Sequence, residues 1–164
     1  MMLKRLGLTA LALVLLLPSN AFADITAFLG VTTTPSNRVS RGFAGGAGLL
    51  IVAFEFEYAN TVEDEVKRAP GLKTFMGNGL VQTPFPIAGM QFYGTAGAGG
   101  YRESFTVLND TFSETNVGTN VGGGVKLSLL GPLRLRLDYR IFRLHGDAQH
   151  STVHRLYAGA NLKF

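Results

Sequence analysis

The sequence predicts an all-β fold: an eight-stranded antiparallel up-and-down transmembrane β-barrel. Three observations predict it. Apolar and polar residues alternate with period two in segment after segment, the mark of strands with two unlike faces. No helical period of comparable support occurs after residue 24. The strand segments number eight, which suits an antiparallel sheet closed on itself, and their connections alternate between long and short.

The chain opens with a segment that is not expected to belong to the barrel. Lys4 and Arg5 precede Leu6–Leu17, a run apolar except for Gly7 and Thr9, and Pro18, Ser19 and Asn20 break it before the small-residue site at 21–23. This is the pattern of a secretory signal peptide, with cleavage expected after Ala23. A spanning helix needs about 20 apolar residues, and this run is far shorter. Residues 1–23 are therefore read as a signal peptide and 24–164 as one barrel domain.

The strands follow in order. The first is expected at 25–33, with Ile25, Ala27, Leu29 and Val31 on one face. The second, 42–51, and the fourth, 72–83, have less decided faces. In the third, 53–59, Phe54, Phe56 and Tyr58 oppose Glu55 and Glu57. In the fifth, 89–102, Met90, Phe92, Ala96 and Ala98 oppose Gln91, Tyr93, Thr95 and Tyr101. In the sixth, 115–129, Val117, Thr119, Val121, Val125, Leu127 and Leu129 share a side opposite Asn116, Asn120, Lys126, Ser128 and several glycines. In the seventh, 133–142, Leu133, Leu135, Leu137, Tyr139 and Ile141 oppose Arg134, Arg136, Asp138 and Arg140. In the eighth, 153–164, Leu156, Ala158, Ala160, Leu162 and Phe164 oppose Arg155, Tyr157, Gly159, Asn161 and Lys163.

Polar connections are expected at 33–41, 60–71, 103–114 and 145–151, and short ones at 84–87 and 130–132. The turn near Leu50–Ala53 carries no clear turn residue. Long loops at one end and short turns at the other is the organisation of a barrel that crosses a membrane.

Alternation alone does not say which face is inside. Eight strands enclose an interior that side chains can fill, and the polar faces offer Gly, Asn, Ser, Thr and Tyr to fill it. Those faces also carry both signs of charge. Buried charges are costly unless paired, and closure would bring Glu55, Glu57 and Asp138 to Arg134, Arg136 and Arg140 as an interior charge network. The final phenylalanine, after a strict apolar stripe, suits an interface girdle in lipid. The polar faces are therefore expected inside and the apolar faces against acyl chains.

The ending "YAGANLKF" resembles the terminal assembly signal of bacterial outer-membrane proteins: Tyr157, Gly159, Leu162 and Phe164 fill its places, with Leu162 aliphatic where an aromatic is common. With "NVGGGVKLSLLGPLRLRLDYR", the mature chain resembles the small eight-stranded outer-membrane barrels of the outer-membrane protein A and opacity-protein type. The resemblance implies a place in the Gram-negative outer membrane and insertion by the outer-membrane assembly machinery. It also implies outer-membrane lipids and lipopolysaccharide as surroundings. It is specific for architecture and uninformative about activity.

Composition excludes several function classes. Lys4 and Arg5 are two of the 15 basic residues, so residues 24–164 carry 13 against 11 acids, a net of +2. No dense basic stripe remains for nucleic acid. With no cysteine, a thiolate zinc site and a cysteine nucleophile are both excluded. A lipid A deacylase needs a histidine, a hydroxyl nucleophile and an orienting acid. His145, Asp147, His150, Ser151 and His154 are the candidates near one rim. However, the adjacent His150 and Ser151 point to opposite faces of an extended strand, and the His-x-Ser-Asn arrangement of the deacylase family is absent. The glycine-rich runs "GTAGAGG" and "VGGGVK" match no phosphate loop or dinucleotide fingerprint.

The expectation is a non-enzymatic barrel with a filled polar interior and surface loops, structural or adhesive in role. No catalytic residue, metal or cofactor is expected, and any surface partner would meet the loops. Two alternatives stand beside it: a lipid A-modifying outer-membrane enzyme, and a soluble periplasmic barrel binding an apolar ligand.

Overall fold

The computed structural model describes residues 21–107 and 110–164. Eight strands form one closed antiparallel barrel in sequence order: β1 (Ala21–Thr32), β2 (Arg38–Leu49), β3 (Val52–Thr61), β4 (Gly71–Gln82), β5 (Met90–Val107), β6 (Asp110–Leu130), β7 (Leu133–Leu144) and β8 (Thr152–Lys163). Closure is made by β1 against β8, from Asp24↔Lys163 to Thr32↔Arg155. The last residue extends the seam: Phe164 and Ala23 exchange backbone hydrogen bonds of 2.8 and 3.2 Å. Among the described residues no helix is long and apolar enough to cross a membrane, which says nothing about crossing by strands.

The boundaries differ from expectation in three places. β1 starts at Ala21, so cleavage after Ala23 would remove its first three residues, while Asp24 and its buried bond to Lys126 would remain. The rest of the expected signal peptide lies outside the described residues. The expected loop at 103–114 is instead the top of a long hairpin, because β5 and β6 continue pairing from Glu103↔Glu114 to Val107↔Asp110. β2 starts at Arg38, inside the loop expected at 33–41, because it pairs with β1 as far as Thr32↔Arg38. The turn after it is Leu50–Ile51, within the expected stretch, with Leu50 at φ 53°, a conformation its side chain disfavours.

The faces sort as alternation predicts, with the apolar set outward. Leu29, Phe56 and Val117 are each two-thirds exposed, whereas Arg136, Arg140 and Arg155 are 0% exposed. Such a distribution inverts that of a water-soluble domain, where large apolar side chains are the buried ones. The lumen has apolar sections too. Toward the loops, Leu72, Met76, Tyr101, Phe142, Leu144 and Val153 pack together, and toward the turns Ala53, Leu80 and Tyr93 do.

Two inward glycines have a spatial reason. A Cβ at Gly124 would stand 2.5 Å from the Tyr93 hydroxyl and 2.1 Å from the Leu137 carbonyl. One at Gly159 would stand 2.9 Å from the Cβ of Phe28. Phe28 stacks on Tyr157 at 4.0 Å between ring centroids.

Candidate functional site

The densest chemistry in the molecule is a charged belt across the middle of the lumen. Period two on β3 and β7 aims Glu55, Glu57, Arg136, Asp138 and Arg140 inward, and the same parity on β8 adds Arg155 and Tyr157. The three acids and three arginines are all buried, so the belt is neutral.

Its bonds are mutual. The Arg136 guanidinium grips Glu55 through Nη1 and, at 3.2 Å, through Nη2, which also donates to Asp138 at 3.1 Å. Arg140 donates to Asp138 Oδ1 at 2.9 Å and to Glu55 Oε1 at 2.8 Å, and its Nη1 lies 3.2 Å from Glu57 Oε2. Arg155 donates to Glu57 Oε1 at 3.1 Å and to Thr74 Oγ1 at 3.1 Å. Two tyrosines complete the belt. Tyr93 accepts from Arg136 Nε at 2.7 Å and donates to Asp138. Tyr157 donates to Glu57 Oε2 at 3.3 Å. Arginine suits these positions because its planar fork holds two carboxylates at once. The guanidinium of Arg136 also lies over the ring of Tyr93, and that of Arg155 over Phe142, with 4.8 and 4.4 Å to the centroids.

A second, smaller polar group lies toward the turns. Asp24 pairs with Lys126, and Arg134 Nη2 approaches Asp24 at 3.6 Å while its Nη1 donates to Gln91 at 2.9 Å. Arg134, expected in one network with the other arginines, thus belongs here. Arg155, Tyr93 and Tyr157 are the members of the belt that pairing of opposite charges on β3 and β7 alone does not find. Parity on β8 does place Arg155 and Tyr157 inside.

Further bonds link the loops at the mouth. Arg38 donates to the carbonyls of Pro70 and, at 2.8 Å, Thr34, and Ser36 donates to Asp64 at 3.3 Å. Tyr101 donates to the His145 carbonyl at 2.6 Å.

The residues expected to bear on assembly divide by face. Tyr157 and Gly159 point inward against Phe28, whereas Leu162 and Phe164 are exposed outward. The histidines do not converge. His154 sits on the outer face with Nδ1 2.7 Å from the Tyr139 hydroxyl, and His145 and Asp147 are exposed. No hydrogen bond joins His150 to Ser151 or Asp147, and no group of three metal-ligating side chains occurs among the described residues. The belt can neutralise and brace; none of its carboxylates or arginines is open to a substrate.

No protein-family model and no curated protein matches the chain. Solved structures do match in shape. The N-terminal β-barrel domain of Pseudomonas aeruginosa OprF aligns with a TM-score of 0.69 at 14% identity, over 89% of this chain and 99% of that one. Neisserial surface protein A aligns with a TM-score of 0.71 at 15% identity, over 88% and 97%. The outer membrane enzyme PagL aligns with a TM-score of 0.53 at 14% identity, over 85% and 98%. The chain has the fold of the small eight-stranded outer-membrane barrels.

Proposed function

We propose that this chain is a non-enzymatic barrel of the Gram-negative outer membrane, with a closed interior and a structural or adhesive role carried by its loops. The observation that supports it is the inverted distribution of polarity. Phe43, Phe54, Phe56, Phe75, Val117 and Leu156 cover the outside, each more than half exposed, around a lumen of paired charges. An exposed apolar surface that encircles a molecule is a lipid contact rather than a soluble surface. A soluble ligand-binding barrel needs the reverse, an apolar cavity and a polar coat.

The filled lumen gives the first test. The belt and the apolar layer above it support a lumen without a path for hydrated ions. Purified monomer in planar bilayers should show no sustained single-channel conductance; steady ohmic steps would refute the closed interior.

The resemblance of fold to PagL favours one second reading, an enzyme acting on lipid A. That reading requires the rim histidines, and it predicts altered lipid A in cells expressing the chain, with loss of the change in His150→Ala or Ser151→Ala. That no hydrogen bond joins His150 to Ser151 supports the non-enzymatic reading.

The last strand is also proposed as the address read by the assembly machinery, through Tyr157, Gly159, Leu162 and Phe164. Phe164 is 70% exposed and makes two backbone bonds to Ala23. Deleting it should lower the amount of folded barrel in cells much more than it lowers the unfolding midpoint of the purified barrel. An unchanged yield would contradict the address.

A further inference from the structure

The outward strand positions carry almost no charge, and the exceptions are one-sided. Among the described residues they hold no acid and four cations: Arg41, Lys73, Arg102 and Arg143, each in the loop-side third of its strand. Two of the four face each other directly, since Lys73 of β4 is the register partner of Arg102 of β5. Like charges directly opposite each other are destabilising in a sheet. No ion pair among the described residues joins either cation to a carboxylate. Among the described residues Lys73 has no hydrogen bond or ion pair, and Arg102 donates to the Ser113 hydroxyl alone, at 2.6 Å.

The pair borders a hollow of about 420 Å³ lined by Lys73, Arg102, Ser104 and Ser113. Two cations and two hydroxyls around one hollow form a donor set for a phosphate group. Its surroundings say which kind. Two residues nearer the turns on β4, Phe75 continues an aromatic row with Tyr58 and Phe43, with ring centroids 4.8 and 5.5 Å apart. Aromatic girdles mark the level where a bilayer meets water. Beside that row lies an apolar hollow of about 510 Å³, lined by Phe56, Phe75, Gly77 and Ala98 among others. A phosphate donor set therefore stands on the water side of an aromatic row, with an apolar hollow on the lipid side.

We infer that Lys73 and Arg102, with Ser104 and Ser113, form a binding site on the outer wall of the barrel for the phosphate of an outer-leaflet lipid, its acyl chains lying along the apolar hollow below. This rests on the proposed outer-membrane location with loops outward. The phosphate neutralises a cation pair that no described carboxylate pairs with, and the hydroxyls donate to its remaining oxygens. The ligand class is a phosphorylated glycolipid or phospholipid bearing an exposed phosphate, of which bisphosphorylated lipid A is the probe.

The test uses the whole barrel, refolded in neutral detergent and titrated with bisphosphorylated lipid A by native mass spectrometry. Each variant is first shown to be folded by its gel mobility without heating. K73Q/R102Q should weaken binding about 30-fold. R41Q/R143Q removes the same charge from the outer surface at β2 and β7, each two strands from the nearer of Lys73 and Arg102, and should weaken it no more than about threefold. Lipid A stripped of both phosphates should bind wild type as weakly as intact lipid A binds K73Q/R102Q. Equal affinities of wild type and K73Q/R102Q, or equal losses in both double variants, would overturn the site. Inorganic phosphate binding as tightly as lipid A would overturn the lipid as its source. A second readout stands if the double variant folds poorly. K73Q alone should raise the unfolding midpoint in lipid-free detergent, by removing the repulsion, and lower it relative to wild type when lipid A is present. A midpoint that moves the same way in both conditions would contradict the site. Because binding is read on refolded protein, cell fractionation tests the location separately: selective binding by a chain found outside the outer membrane would sink the location alone.

Discussion

Replacing Arg136 by leucine should lower the barrel's unfolding free energy by about 3–5 kcal/mol, the cost of breaking a buried ion pair from one side. Arg136 is completely buried and holds Glu55, Asp138 and Tyr93 at once. Its loss leaves three acids facing two arginines in a space that water does not reach. Arg140 can still bond Glu55 and Asp138, but a single guanidinium cannot neutralise both. The matched change Arg68→Leu, on an exposed loop side chain, should shift stability by no more than about 0.5 kcal/mol. Urea unfolding of the two variants in the same detergent or lipid compares them directly. Coincident midpoints would mean that Arg136 is not paired inside the barrel.

Glu57 and Arg155 allow a sharper test, because they can be removed together without unbalancing the belt. Glu57→Leu alone leaves Arg155 with only Thr74 as a hydrogen-bond acceptor and the Phe142 ring beside it. It also takes an acceptor from Tyr157 and a counter-charge from Arg140. A loss of about 3–5 kcal/mol is expected. Arg155→Leu should cost less, since Glu57 keeps Arg140 and Tyr157. The double variant leaves Glu55 and Asp138 against Arg136 and Arg140, which is neutral again. A buried pair replaced by apolar residues is often close to neutral in stability. The double variant should therefore be more stable than Glu57→Leu, with a coupling energy of about 1–3 kcal/mol. Additive losses would show that the two side chains do not interact.

Strand existence and facing were legible because both rest on a two-residue period that survives inversion of the barrel. The charge signs on "FEFEY" and "RLRLDYR" then indicated which face closes inward, since only pairing makes six buried charges tolerable. Three features were not legible, for identifiable reasons. The Leu50–Ile51 turn lacks Gly, Asn or Asp, and its left-handed Leu50 is held by the strands on either side rather than by local preference. The 103–114 segment looks like a polar loop, but Phe105↔Phe112 and Ser104↔Ser113 pair like with like across a hairpin. Cross-strand pairing of this kind has no signature in either strand alone. On β4 the inward positions Leu72, Met76 and Leu80 are apolar, so both faces look alike and the period fades. The belt itself was half visible. Opposite charges on two strands suggested it, whereas Tyr93 and Thr74 depend on register across the lumen.

A folded barrel whose apolar face meets lipid has a distinctive location and gel mobility. Fractionating cells that express it, and running the fractions on gels with and without heating, tests location and folding together. A lipid-embedded barrel should be recovered in the outer membrane, be released only by detergent, and give a band whose mobility changes on heating as the barrel unfolds. Recovery in the soluble periplasm without detergent, with one mobility before and after heating, would contradict it.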